Sequence, residues 1–267
     1  MQPEIDLFGL SLKTFGLMFA LGFVAAGAII QRRLKELGRP VDWAYEITFS
    51  GLGGGLVGAR LYYVVTHTGE LADDPLGTLF GGSGLVWYGG ALGGAIAILL
   101  WARWRGMFER RLLDVCVVPL ALGYAIGRVG CQLAGDGDYG KAWDGPWAMA
   151  YPEGVIPTDV PVHPTPIYET LTMGLVAYAL WRGRDAFRPG ALLGFYLVAA
   201  GIERFLVEFV RRNENVALGL TSAQFTSLGL LVAGIAWLAV DARRPGGLRG
   251  EERGVARAGG VARAATA

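Results

Sequence analysis

The chain has 267 residues, of which 53% are hydrophobic and 18% are charged, and its formal net charge is +1. Together with a mean hydropathy of +0.40, this composition excludes an ordinary soluble domain and favours a polytopic membrane protein. A net charge this close to zero indicates no class of partner, and we expect no nucleic acid among the partners.

Seven apolar stretches follow one another along the chain. They are residues 14–30, 44–65, 85–101, 113–130, 167–181, 191–210 and 223–240. Most of them reach the roughly 17–25 residues that a spanning helix needs, and the short fifth stretch can be extended, tilted or matched by a locally thinner bilayer. We therefore predict an all-α membrane protein with seven transmembrane helices.

The first stretch lacks the residue order of a cleaved signal peptide. Its basic residues Arg32, Arg33, Lys35 and Arg39 follow the apolar run, whereas the basic residues of a signal peptide precede it. We therefore expect this stretch to stay in the protein as the first transmembrane helix.

Basic residues alternate between the segments that connect these stretches. With the N-terminus outside, the four inner segments hold 17 of the 24 Lys and Arg residues, whereas residues 67–84 hold none. Cytoplasmic loops are enriched in Lys and Arg, so the pattern predicts an outside N-terminus and a cytoplasmic C-terminus. Residues 1–241 then form a single polytopic membrane domain. We expect residues 242–267 to be a disordered basic cytoplasmic tail, either solvated or touching anionic headgroups.

The longest outer loop covers residues 132–165 and is expected to form a small cap on the outer, periplasmic side. It contains the aromatic residues Trp143, Trp147 and Tyr151, which suit a membrane interface. It also contains five prolines, which exclude a long helix: Pro146, Pro152, Pro157, Pro161 and Pro164. A cap of this kind implies a substrate that arrives from the outer face.

Glycines recur at four-residue spacing in the second and third stretches. The pairs are Gly51 with Gly55, Gly54 with Gly58, Gly89 with Gly93, and Gly90 with Gly94. Such spacing places small residues on one face of each helix and predicts close helix contact.

The two cysteines do not suit a disulfide. Cys116 and Cys131 belong to one predicted helix, on which their separation is about 22 Å at roughly 1.5 Å per residue, too far for an S–S bond. With two cysteines and two histidines in the chain, we expect no metal site. We also expect no cofactor, since the chain has neither a Walker loop nor a nucleotide-binding fingerprint.

Arg128 is the strongest candidate for a binding residue. It lies at the end of the fourth stretch between Gly127 and Gly130, where an arginine is unfavourable by roughly 2–3 kcal/mol on insertion scales. The glycines leave room for a large ligand to approach the guanidinium group. The pattern indicates either an arginine that extends its side chain to the interface or a site for an anionic lipid phosphate.

A second arginine lies in the sixth stretch. Arg204 and Glu208 are spaced i,i+4 and share one helix face, and Glu203 precedes them. The pair indicates either self-neutralisation within the helix or a second phosphate contact in which Glu208 orients the arginine. Two arginines on different helices could clamp one phosphate through bidentate hydrogen bonds.

Three further residues each have two interpretations, and a fourth, Glu169, has one. Arg60 is either an interface anchor or a lipid contact, and Tyr88 is either an interface aromatic or a proton donor and acceptor. His163 is either a base or a residue that fixes its loop. Glu169 lies near a predicted helix N-terminus, where the helix dipole favours a carboxylate.

These residues resemble the prolipoprotein diacylglyceryl transferase family over most of the chain. The most specific segment is residues 127–136 (GRVGCQLAGD), which is similar to the family's signature around its essential arginine. Further matches are residues 15–23 (FGLMFALGF), 87–90 (WYGG), 146–149 (PWAM), 163–169 (HPTPIYE) and 204–211 (RFLVEFVR).

The resemblance implies a multi-pass enzyme of the bacterial cytoplasmic (inner) membrane. It would transfer the diacylglyceryl group of phosphatidylglycerol to the lipobox cysteine thiol of a preprolipoprotein and release glycerol phosphate. The implied catalytic residues are Arg128, Arg204, Tyr88, Asp136 and Glu208. The implied phosphatidylglycerol-binding residues are Arg128, Gly127, Gly130, Arg204, Arg60, Gly89 and Gly90. Supporting roles in the loop fall to His163, Tyr168, Glu169 and Cys131.

The chain departs from the family pattern at several positions. Tyr88 stands where the family has histidine, Cys131 where it has asparagine and Asp136 where it has glutamate. Phe15 and Ala200 each stand where the family has tyrosine. These departures leave two alternatives to the transferase: a paralogous lipid-modifying enzyme with another acceptor, or a non-enzymatic phospholipid-binding or transport protein.

Overall fold

The computed structural model describes residues 2–7, 9–69, 74–80 and 86–249. The chain divides into two compact units. The first combines Met1–Gly22 with Leu113–Ala267, and the second is Phe23–Leu112. Parts of the predicted segments lie outside the described residues, namely residues 70–73 and 81–84 of the outer segment 67–84, Leu85 of the third stretch and residues 250–267 of the tail.

Long helices occupy the predicted apolar stretches. Within the described residues the helices are α1 (Thr14–Glu36), α2 (Trp43–Thr66), α3 (Pro75–Phe80), α4 (Trp87–Arg105), α5 (Arg110–Ala134), α6 (Thr165–Gly183), α7 (Ala191–Val207) and α8 (Ser222–Ala242). The helical nature of all seven stretches is therefore confirmed. In the described part of the chain, α1, α5 and α8 are long and apolar enough to cross a membrane by length and composition.

The sixth stretch ends earlier as an α-helix than its apolar pattern predicts. α7 stops at Val207, and Glu208–Val210 continue as a single 3-10 turn. Short 3-10 turns often close the last turn of an α-helix. This tighter turn directs the carboxylate of Glu208 inward, where its side chain is fully buried.

In the second unit, α2 packs closely against α4 through glycines. A Cβ placed on Gly58 would collide with the backbone of Gly89 and Gly93, and one placed on Gly54 would collide with Gly93. The predicted close helix contact is therefore confirmed. We call this contact between α2 and α4, which includes Gly54, Gly58, Gly89 and Gly93, the glycine seam. Near one end of it, the Glu46 carboxylate accepts a hydrogen bond from Trp101 Nε1 at 2.6 Å.

In the first unit, α5, α6 and α7 surround a small apolar core, and α7 also packs on α8. The core consists of Ala121, Ala125, Met173 and Ala177. Such small side chains let the helices approach closely. Polar side chains near this core can therefore touch their counterparts on the neighbouring helices directly.

Three two-stranded antiparallel sheets were not predicted from the sequence. They pair β1 (Glu4–Leu7) with β2 (Leu10–Lys13), β3 (Met149–Tyr151) with β4 (Thr158–Val162), and β5 (Asn215–Ala217) with β6 (Leu220–Thr221). Strands of two to five residues are too short to show a two-residue periodicity. The fold is thus mostly helical, with small sheets in its connections.

The predicted cap contains the β3–β4 pair. Tyr139, Tyr151 and Val162 form its buried cluster, in which the rings of Tyr139 and Tyr151 stack with centroids 4.8 Å apart. Gly135, at φ +60°, ends α5 and turns the chain into this segment. A left-handed backbone of this kind favours glycine.

The first residues of the predicted tail are ordered. Arg188 donates from Nη1 to the carbonyl oxygens of Asp241 and Gly247, each at 3.0 Å. A 3-10 turn covers Gly247–Arg249. The remainder of the predicted tail lies outside the described residues.

Candidate functional site

Arg128 lies near the end of α5 with only 16% of its side chain exposed. Its Nε is 2.9 Å from Glu169 Oε2, and its Nη1 forms an ion pair with Asp138. Its Nη2 donates a hydrogen bond to the Tyr124 hydroxyl at 3.1 Å. The guanidinium group therefore contacts protein groups from three parts of the first unit, which is inconsistent with an arginine that merely reaches towards an interface.

One buried carboxylate joins the two predicted arginines. Glu169 lies in the second turn of α6, and its side chain is fully buried. Its Oε1 accepts a hydrogen bond from Arg204 Nη1 at 3.0 Å, while its Oε2 faces Arg128. Arg128 of α5 and Arg204 of α7 are thus neighbours, as a shared anion site requires.

Glu208 holds the other side of Arg204. Its Oε2 is 2.9 Å from Arg204 Nη2, which is the contact that the i,i+4 spacing predicts. Its Oε1 accepts hydrogen bonds from Thr221 Oγ1 at 2.8 Å and from Asn213 Nδ2 at 2.6 Å. Because Thr221 also caps the N-terminus of α8, the orientation of Glu208 is fixed by a neighbouring helix end.

Sequence reasoning missed two charged residues of this site. Arg211 donates from Nη1 to the Asp138 carbonyl oxygen at 3.1 Å and pairs with the Asp138 carboxylate through Nη2. The guanidinium of Arg211 is also 3.8 Å from carboxylate oxygens of Glu169 and Glu208. The sequence signal for Arg211 is its position seven residues, or about two helical turns, after Arg204. Asp138 lies in a loop, where residue spacing does not predict the direction of a side chain.

These residues form what we call the arginine cluster. Its members are Arg128, Arg204, Arg211, Asp138, Glu169 and Glu208. Burial alone would raise the pKa of Asp138, but the charges of Arg128 and Arg211 outweigh it and lower this pKa to about 2. Three guanidinium groups held by carboxylates can donate bidentate hydrogen bonds to the oxygens of an anion.

The two glycines around Arg128 have different surroundings. In the part of the chain that the structure describes, a Cβ on Gly127 would meet nothing within 4 Å, whereas a Cβ on Gly130 would lie 3.0 Å from Met18 Cβ and 3.4 Å from the Phe15 ring. The expected open space is therefore present at Gly127, while Gly130 serves the contact with the first turns of α1.

Cys131 and Asp136 lie beside the cluster. Cys131 is a buried free thiol whose Sγ is 3.7 Å from Arg128 Nη1. Burial raises the pKa of Asp136, and the nearby charge of Asp138 adds to this effect. Ligand atoms of Cys131, Asp136 and Asp138 lie within 4.8 Å of one another, a spacing that could hold a metal ion. The guanidinium groups already paired with Asp138 disfavour a cation there.

His163 and Tyr168 belong to an aromatic group in the cap. The His163 ring stacks on Trp143 with centroids 4.4 Å apart, and its Nδ1 is 3.2 Å from the Tyr168 hydroxyl. That hydroxyl also accepts a hydrogen bond from Trp147 Nε1 at 2.7 Å. Burial lowers the pKa of His163. These contacts favour the interpretation that His163 fixes its loop.

The remaining predicted residues belong to the second unit. Gly89 and Gly90 face α2 in the glycine seam, so their small size is explained by packing. Arg60 donates from Nη2 to the Gly77 carbonyl oxygen at 3.0 Å and lies 5.6 Å from the Tyr63 ring centroid, as an anchoring residue would. Tyr88 is 45% exposed at the start of α4.

Comparisons with known proteins agree with one another. A family model described as prolipoprotein diacylglyceryl transferase matches residues 4–240. The phosphatidylglycerol–prolipoprotein diacylglyceryl transferase of Clostridium tetani is 33% identical over 246 residues, covering 90% of this chain and 98% of that protein. The enzyme of the same name from Chromohalobacter salexigens is 33% identical, covering 91% and 95%. The second such transferase of Clostridium perfringens is 31% identical, covering 86% and 91%.

Proposed function

The chain belongs to the prolipoprotein diacylglyceryl transferase family, and on this basis we propose that it transfers the diacylglyceryl group of phosphatidylglycerol to a lipobox cysteine thiol. The observation that carries the proposal is Glu169, which bridges Arg128 and Arg204 with its two oxygens. A phosphodiester likewise presents two oxygens, to which a pair of guanidinium groups can donate hydrogen bonds.

The transfer forms a C–S bond and breaks a C–O bond. The thiolate attacks the glyceryl carbon, and the glycerol phosphate leaves with the electron pair of the broken bond. Arg128 holds the phosphate, and Arg204 stabilises the negative charge that develops on it. Glu208 keeps Arg204 in place, since it holds the guanidinium Nη2 at 2.9 Å.

A base must take the proton of the attacking thiol. Asp136 is one candidate, because burial raises its pKa and a carboxylate with a raised pKa is a stronger base. Tyr88 is the other candidate, since it stands where the family has histidine. Among the described residues Gly127 leaves open space beside Arg128 for the lipid, and Cys131 and His163 support the site.

We place seven helices across the bacterial inner membrane, with the N-terminus outside. Support comes from the apolar lengths of α1, α5 and α8 and from the alternation of basic residues. In this orientation the cap and the end of α5 that carries Arg128 lie on the outer side, where a preprolipoprotein exposes its lipobox.

The function is tested with purified protein, phosphatidylglycerol and a lipobox peptide. Mass spectrometry should detect the diacylglyceryl thioether of the peptide, together with free glycerol phosphate. A cysteine-to-serine peptide is the matched control and should yield no thioether. Absence of product under conditions where the Clostridium tetani enzyme works would contradict the proposal.

Cys131 favours a second candidate, a paralogue with the same donor and another acceptor. A thiol 3.7 Å from Arg128 replaces the family's asparagine beside the proposed phosphate position. A paralogue would consume phosphatidylglycerol but would fail to replace the transferase in a depleted strain. Donor turnover in either assay also excludes the non-enzymatic lipid-binding or transport alternative as the whole function.

A further inference from the structure

Glu203 is a buried acid that the proposed transfer does not use. It precedes Arg204 in α7, and only 8% of it is exposed. Its Oε1 has no hydrogen-bond partner within the part of the chain that the structure describes. In the same part of the chain it forms no ion pair with an arginine, which distinguishes it from Glu169 and Glu208.

Charged and titratable groups face Glu203 from the neighbouring elements. They are Tyr124 and Arg128 of α5, Glu169 of α6, Tyr196 and Arg204 of α7, and Arg211 beyond the 3-10 turn. The only titratable residue of α8 is Asp241, at the opposite end of that helix. Glu203 therefore responds to the charge balance of the arginine cluster.

The charges of the cluster are already balanced without Glu203. Arg128, Arg204 and Arg211 supply three positive charges, and Asp138, Glu169 and Glu208 supply three negative ones. A phosphodiester anion would add a further negative charge to this buried site. An uncompensated buried charge is costly, and a carboxyl group can remove it by binding a proton.

We propose that Glu203 takes up a proton when an anionic phosphodiester enters the arginine cluster. The proton comes from solvent, the O–H bond forms on the Glu203 carboxylate, and the proton is released when the phosphate product leaves. This coupling rests on the proposed function, because it assumes that the cluster binds the donor phosphate. Glu203 acts through the charge balance and is not a catalytic residue.

Glu203 suits this role better than Asp136, an acid beside the arginine cluster that likewise forms no ion pair with an arginine among the described residues. The Asp136 carboxylate is 3.3 Å from the Asp138 backbone N–H, which donates to it, and its charge is therefore partly stabilised. Among the described residues, none donates such a hydrogen bond to Glu203 Oε1. Asp136→Asn is therefore the matched comparison for Glu203→Gln.

Titration calorimetry of the full chain with phosphatidylglycerol micelles tests the coupling. Without a lipobox peptide the donor binds and does not react, and buffers with different ionisation enthalpies report the protons taken up. Wild type and Asp136→Asn should take up about one proton per lipid near neutral pH, and their affinity should fall up to roughly tenfold per pH unit at higher pH. Glu203→Gln should take up none and show a flatter profile, whereas Glu203→Asp should keep the uptake.

The outcomes separate the two proposals. If wild type does not bind phosphatidylglycerol, the proposed function fails. If wild type binds it without taking up a proton, the role of Glu203 is refuted, even where Glu203→Gln fails to fold. Loss of the uptake in Asp136→Asn but not in Glu203→Gln would assign the proton to Asp136 and overturn the inference.

Discussion

Glu169 shows at the scale of single residues how the site keeps two arginines together. Burying charged groups is costly unless each is paired and hydrogen-bonded. The fully buried carboxylate meets Arg128 at 2.9 Å and Arg204 at 3.0 Å, and it also accepts a hydrogen bond from the Tyr124 hydroxyl at 3.1 Å. The guanidinium groups are therefore charged and oriented before any ligand arrives.

Arg204→Lys should damage the enzyme although it keeps the charge. The guanidinium group pairs with Glu169 through Nη1 and with Glu208 through Nη2. A single ammonium group cannot reproduce these two contacts in the same geometry. We expect the rate of thioether formation to fall roughly 10- to 100-fold. Arg182→Lys, at the exposed end of α6, is the control and should keep the wild-type rate. Equal rates for the two variants would contradict the claim that both contacts of the Arg204 guanidinium group are needed for the reaction.

Asp138 should make the stability of the protein sensitive to acid. Its pKa is lowered from an ordinary 3.8 to about 2 because the charges of Arg128 and Arg211 outweigh the effect of burial. A lowered pKa contributes stability that is present above pH 4 and is lost as the pH falls towards about 2. The thermal midpoint of wild type in detergent should therefore fall over this range.

Asp138→Asn separates this contribution from general acid unfolding. The variant should start from a lower midpoint near neutral pH and lose less between about pH 4 and 2. Asp144→Asn, which alters an exposed acid in the same loop, should follow wild type. An Asp138→Asn profile parallel to that of wild type would show that the ion pairs of Asp138 add no stability.

At the scale of elements, helices were predictable and their short connections were not. Long apolar stretches and four-residue glycine spacing are local signals, so α2, α4 and their seam could be read from the sequence. Pairing of β3 with β4 depends on tertiary contacts such as the Tyr139–Tyr151 stack. The prolines correctly excluded a long helix from the cap, but they could not predict which residues pair.

The glycine seam should tolerate a methyl group at one position and not at another. A Cβ on Gly58 would collide with the backbone of Gly89 and Gly93, whereas a Cβ on Gly53 would meet no described residue within 4 Å. Gly58→Ala should lower the free energy of unfolding by about 1–3 kcal/mol. Gly53→Ala should be neutral or stabilising by up to about 1 kcal/mol. Unfolding in detergent measures both, and equal effects would contradict the close contact.

At the scale of the whole molecule, the site is assembled from segments that are distant in sequence. Arg128, Arg204 and Glu208 could be singled out because a charge in an apolar stretch is conspicuous. The bridging role of Glu169 and the pairing of Arg211 with Asp138 could not, since ion pairs between helices depend on how those helices pack. The sequence therefore singled out four of the six charged groups of the arginine cluster, whereas the fold determines which groups pair.

The proposed orientation is testable in cells with single introduced cysteines. Asp144→Cys in the cap should react with a membrane-impermeant maleimide in intact cells. Asp185→Cys, in the turn between α6 and α7, should react only after the membrane is permeabilised. The native thiols give a low background, because Cys131 is buried and Cys116 is half-buried. The opposite labelling pattern would reverse the topology.

Arg128→Ala tests most directly the claim that the arginine cluster binds the donor phosphate. The variant is inserted into the membrane and assayed for thioether product with phosphatidylglycerol and a lipobox peptide, alongside Arg182→Ala as the control. We expect Arg128→Ala to be inserted and inactive, since it loses the guanidinium group that holds the phosphate in the proposed site, and Arg182→Ala to match wild type. Wild-type product formation by inserted Arg128→Ala would contradict the proposed site.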